Sequence, residues 1–97
     1  MTDGDSSDDA SETTRTWLVE RSYDDRNLIT LVYATPDGEY ALRKERSATV
    51  MHQQGSRVTA AVDVAPDDVS RVAPDDRERY AAEAERMRDR HAPDDEV

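Results

Sequence analysis

The chain has 97 residues, with 23 Asp and Glu against 13 Lys and Arg, and a net charge of −10. A chain this short forms one small domain at most, and with only 35% hydrophobic residues and no Phe it has little material for a core. The absence of cysteine excludes disulfides, thiolate metal sites and cysteine nucleophiles together.

Charge is unevenly placed along the chain. Residues 1–12 carry five acids and no base, residues 13–64 carry seven of each, and residues 65–97 carry eleven acids and six arginines. Residues 1–14 hold only Met1 and Ala10 as apolar side chains, which predicts a disordered acidic arm. Residues 15–91 are read as a single α+β domain, and residues 92–97 as a disordered acidic tail.

Within the domain, "TWLVERSY" (16–23) mixes aromatic and β-branched residues with polar alternates and predicts a strand. "DDRN" (24–27) has turn chemistry, and "LITLVYAT" (28–35) is the strongest strand of the chain. "TPDG" (35–38) presets φ with proline and permits positive φ with glycine, so a tight hairpin leads into a third strand, "EYALRKER" (39–46). "SATVMHQQG" (47–55) fits a short helix between an N-cap at Ser47 and Gly55, with a loop as the alternative. "RVTAAVDV" (57–64) alternates as a half-buried strand, "PDDVSRV" (66–72) reads as one helical turn or a loop, and residues 74–91 read as a long helix.

That helix places Asp75, Asp76 and Glu78 in its first turn and Arg86, Arg88, Arg90 and His91 near its end, as the helix dipole favours. Asp75–Arg79 and Glu83–Arg86 have ion-pair spacing, and Tyr80, Ala84, Met87 and His91 form a narrow face able to pack on a sheet. The expected fold is α+β: a three-stranded meander, a fourth strand and a C-terminal helix, in the order βββ(α)βα.

Turn positions set an expected register, with Tyr23 opposite Leu28 and Thr35 opposite Glu39. One face then gathers Trp17, Val19, Val32, Ala34, Tyr40 and Leu42, with Arg21, Tyr23, Thr30, Lys44 and Arg46 farther along it. The other face carries Leu18, Ile29, Leu31, Tyr33 and Ala41. Both faces of the middle strand are therefore apolar, which calls for cover by residues 47–56 or by a partner chain, including a second copy.

Few residues carry a chemical signature. Adjacent aspartates diverge, the alternating ligands and central glycine of a calcium loop are missing, and His52 and His91 lack ligand spacing, so no metal is expected. Glycines are scattered and no G-x-S-x-G elbow exists, so no cofactor, catalytic residue or enzymatic activity is expected. No apolar run approaches the roughly 18 residues of a membrane span, and the acidic start is unlike a signal peptide, which gives a cytoplasmic reading. "APDD" at 65–68, 73–76 and 92–95 has no repeat period; proline followed by two acids is helix-entry chemistry.

One cluster invites a functional reading. Arg21, Lys44 and Arg46 beside Tyr23 match what single-stranded nucleic acid uses, cations for phosphate and an aromatic ring for stacking. The net charge opposes that use, and pairing with Glu20, Asp24, Asp25 or the acidic ends is the plainer reading. Asp-rich surfaces, a single lysine and small core residues fit molar salt, where screening shortens to about 3 Å. The stretches "VTAAVDVAPDD" (58–68) and "DRERYAAEAERMRDRHAPDDEV" (76–97) resemble a family of small acidic haloarchaeal proteins with no assigned activity. The resemblance implies a salt-adapted cytoplasm and transfers no site residue. The expectation is a non-enzymatic accessory or interaction module with a protein partner or a second copy, and nucleic-acid association as the alternative.

Overall fold

The computed structural model describes residues 13–55 and 57–97. Most of the expected arm, residues 1–12, lies outside them. Among the described residues the fold is α+β, a five-stranded antiparallel sheet with two helices. The strands are β1 (Thr14–Tyr23), β2 (Leu28–Ala34), β3 (Tyr40–Ser47), β4 (Ala61–Val64) and β5 (Ser70–Arg71), in spatial order β4-β1-β2-β3-β5. Helix α1 (Ala48–Gln54) follows β3, and α2 (Pro74–Arg90) closes the order βββαββα. The expected order lacked β5.

The meander forms where it was expected, but its register departs in two places. Trp17 opposes Ala34 and Leu18 opposes Tyr33 as anticipated; an irregularity at Val19 then sets Glu20 against Val32 and Tyr23 against Ile29, not Leu28. A bulge of this kind inserts one residue and reverses the facing of everything beyond it. The second hairpin shifts as well, with Ala34 opposite Ala41 and Leu28 opposite Ser47. Its cause is the loop chemistry. Asp37 Oδ1 accepts from the Thr35 hydroxyl (2.6 Å) and from Glu39 N–H (3.0 Å), holding Glu39 in the loop, and Thr35 N–H donates to Tyr40 O instead (2.9 Å).

The two shifts change which residues share a face. Trp17, Val32 and Ala34 keep company with Ala41 and Arg43, while Tyr40 and Leu42 move to the side of Leu31 and Tyr33. On the first side α2 packs against β1, burying Trp17 with Ala60, Ala61 and Ala84. On the second, Leu18, Leu31, Tyr33 and Val58 form a cluster flanked by Met51 of α1. The segment after β3 therefore covers much of the second apolar face within the chain itself.

Local chemistry accounts for the helix ends. Ser47 Oγ accepts from Val50 N–H at 3.3 Å, and Gly55 closes α1 at φ +66°, so the helix reading of 47–55 holds. Each APDD copy makes the same turn: the second aspartate's N–H donates to the alanine carbonyl at 2.9 Å (Asp68), 2.9 Å (Asp76) and 3.1 Å (Asp95). The first becomes a 3-10 turn over Pro66–Asp68, the second opens α2, and the third follows the helix end at Arg90. Arg79 bonds Asp76 and Glu20 (3.1 and 3.2 Å), not Asp75, while Glu83–Arg86 pairs as spaced.

Two segments differ from expectation at the chain's end. Residues 57–60 do not extend β4; Val58 and Ala60 are buried in an irregular path beside it. Residues 92–97, anticipated as a tail, run back along that path: Ala60 N–H donates to Asp95 O (2.8 Å), Ala61 N–H to Pro93 O (3.0 Å) and Val97 N–H to Val58 O (2.8 Å). Buried amides need partners, and the last residues supply them.

The hairpin loop also gives the domain an acid-sensitive element. The Thr35 hydroxyl and the Glu39 N–H hold the Asp37 carboxyl below its ordinary range. A depressed folded-state pKa stabilises above the unfolded value, and that stability is lost as pH falls through the lowered one. Asp37→Asn is expected to cost less than about 1 kcal/mol at neutral pH and to flatten the acid limb of the urea midpoint against pH. An unchanged acid limb would contradict this.

Candidate functional site

The candidate site is assembled on the second sheet face by the two register shifts. Antiparallel neighbours on adjacent strands point to the same side, so pairing defines rows across β1, β2 and β3. One row is Arg21, Leu31 and Lys44; the next is Tyr23, Ile29 and Arg46. All four sequence-predicted residues are thus on one face, as anticipated. That face is the one carrying Leu31 and Tyr33, not the one carrying Trp17 and Val32. Both shifts move the four residues the same way, so the group stays together although each hairpin departs from the expected register.

The rows alternate charge and apolar surface. Residues on β1 and β3 stand two strand spacings apart, about 9–10 Å, with Ile29 and Leu31 between them. Tyr23 is 65% exposed, and its hydroxyl donates to Asn27 Oδ1 at 2.8 Å. Asn27 itself sits at φ +67°, in the turn that joins β1 to β2, and its carbonyl accepts from Ala48 N–H at 2.9 Å. One turn residue therefore orients the aromatic ring and the start of α1 together.

The cations are placed in different ways. Arg21 Nη1 donates to Val97 O at 3.2 Å, Lys44 Nζ lies 5.8 Å from the centre of the Tyr33 ring, and Arg46 Nη1 donates to Glu45 O at 3.0 Å. Among the described residues none of the three forms an ion pair with a side-chain carboxylate. Of the carboxylates considered as their partners, Glu20 bonds Arg79 on the helix side (3.2 Å) and Asp24 bonds Arg26 (3.0 Å), while Asp25 makes no ion pair among the described residues and residues 1–12 lie outside them. Asp24 is further held below the ordinary carboxylate range by Leu28 N–H, with Arg26 adding to it. Among the described residues this end of the sheet face is cationic, on a protein of net charge −10.

Two residues that sequence reasoning did not place here complete the surroundings. Tyr33, 3% exposed, lies under Lys44, and Arg57 follows α1 at the rim of the same concavity. Burial raises the Tyr33 phenol above its usual pKa, opposed by the charges of Arg21 and Arg46. No sequence signal points to them, because Tyr33 reaches the cationic face only once the second hairpin gains its extra residue.

Other constellations are sparse. Among the described residues no three His, Asp or Glu side chains gather as a metal site. His91 Nδ1 is 3.7 Å from Asp95, a contact made by the docked C-terminal residues. No helix among the described residues is long and apolar enough to cross a membrane.

Comparison with known proteins adds one positive finding. The model of a family of unknown function matches residues 10–97. No curated protein matches the chain, and no solved structure does.

Proposed function

We propose, for a chain that belongs to this family, DUF7967, the role of a small non-enzymatic interaction module that holds an acidic protein segment on its sheet face. The observation carrying this reading is the pair of rows Arg21–Leu31–Lys44 and Tyr23–Ile29–Arg46, whose cations have no side-chain carboxylate partner among the described residues. Such a surface fits a segment with carboxylates on either side of an apolar ridge. A second copy of the chain is one source of that segment, since its own ends are acidic.

The acidic composition supports work in a salt-adapted cytoplasm. There, long-range attraction is screened, and short-range hydrogen bonds and apolar contact must carry specificity. A second reading is single-stranded nucleic acid. It is favoured by the exposure of Tyr23 next to cations, the arrangement that stacks a base beside its phosphate.

The double variant Lys44→Glu with Arg46→Glu tests the reading. Titrated with a peptide that alternates Asp and Leu, the unaltered protein should bind, and the variant should bind at least about tenfold more weakly. Charge-sensitive binding of oligouridylate without binding of the peptide establishes the second reading instead. Binding of neither probe sinks both.

A further inference from the structure

Between the cationic face and α1 lies a cavity of about 250 Å³, with Leu31, Tyr33, Lys44, Arg46, Met51 and Arg57 among its walls. It is smaller than the roughly 300–1,000 Å³ of drug-sized pockets, so its natural occupant is compact. Its walls divide by chemistry. Leu31 and Met51 are apolar, and Tyr33 is a ring backed by the core cluster of Leu18 and Val58. Lys44, Arg46 and Arg57 bring three positive charges to the same space, Arg57 having Glu96 at 3.9 Å as a loose, exposed counter-ion.

The Tyr33 hydroxyl sharpens this picture. The side chain is 3% exposed, and among the described residues its hydroxyl has no hydrogen-bond partner. Tyr33 lines the cavity, where its hydroxyl is free to bond water or the oxygen of a ligand that displaces it. Phenylalanine would pack the same volume but could not donate to a bound oxygen.

We propose that this cavity binds a small phosphate monoester with a compact apolar or aromatic body. Lys44, Arg46 and Arg57 neutralise the phosphate, the Tyr33 O–H donates to one of its oxygens, and Leu31 and Met51 hold the body. Three cations match a dianion better than a carboxylate, and arginine's planar fork bonds phosphate oxygens in pairs. The site shares Lys44 and Arg46 with the face described above but does not rest on the macromolecular reading.

Phenyl phosphate is the probe, followed by amide shifts in molar KCl. Binding should move Leu31, Tyr33, Met51 and Arg57. Tyr33→Phe should keep or raise thermal stability while weakening phenyl phosphate about tenfold, and Arg46→Gln should weaken it similarly. Tyr23→Ala, outside the cavity, should spare phenyl phosphate while weakening peptide binding, which separates failure of this site from failure of the face. Unmoved cavity amides, equal binding by Tyr33→Phe, or phenol binding as tightly as phenyl phosphate would each overturn the proposal. Inorganic phosphate binding as tightly as phenyl phosphate would overturn the apolar subsite and reduce the cavity to a plain anion site.

Discussion

Gly38→Ala is expected to destabilise the domain by about 2–5 kcal/mol, lowering the thermal midpoint by more than about 10 °C. Two separate causes add. Gly38 has φ +73°, a conformation that costs an L-residue about 1–2 kcal/mol. A Cβ there would also press into the Arg77 carbonyl oxygen and lie 2.7 Å from the Ala81 nitrogen, both backbone atoms of α2. Backbone within a helix cannot step aside as a flexible side chain can, so overpacking of about 1–3 kcal/mol follows. Gly55 separates the two causes, since it has φ +66° with open space around it. Gly55→Ala should therefore show only the backbone cost, about half or less of the Gly38 effect. Equal effects at the two glycines would mean that α2 does not rest on the hairpin loop.

Ending the chain at Ala92 is expected to cost about 2–4 kcal/mol. The removed residues accept from the Ala60 and Ala61 amides and donate to Val58, and Val97 packs on both apolar clusters. Ala60 and Ala61 are 0% and 6% exposed with these residues in place, so the truncation strips hydrogen-bond partners and apolar cover from the same path. The urea midpoint measures the effect, and an unchanged midpoint would mean that residues 93–97 are dispensable to the fold.

These two results probe what local sequence patterns leave open. β1, β2, β3 and α2 are readable because alternation, turn residues and dipole-matched charges act within a few positions of each other. Ser47 and Gly55 likewise mark α1 by capping chemistry contained in nine residues. The bulge at Val19 has no such mark, because it answers to packing against Trp17 and its neighbours. Pro36 and Gly38 alone point to a shorter hairpin; the Asp37 side chain, which keeps Glu39 in the loop, adds the extra residue. The docking of residues 92–97 depends on amides of Ala60 and Ala61 more than thirty positions away, and polar composition alone predicts the opposite.

The candidate site divides in the same way. Grouping Arg21, Tyr23, Lys44 and Arg46 needed only strand alternation, whose period of two tolerates equal shifts on both sides of β2. Placing Tyr33 beneath them needed the true register, and placing Arg57 needed the path of the chain after α1. A cationic surface on a chain of net charge −10 is also invisible to totals, since it exists only when Glu20 and Asp24 turn to Arg79 and Arg26.

The central claim is that this sheet face is the protein's binding surface. Its most direct test is an amide-shift map of the unaltered protein with the Asp-Leu peptide, recorded at low and at molar KCl. Shifts are expected to concentrate at Arg21, Tyr23, Ile29, Leu31, Lys44 and Arg46, weakened but not abolished by salt. Shifts confined to α2, or no saturable shifts at either salt concentration, would contradict it.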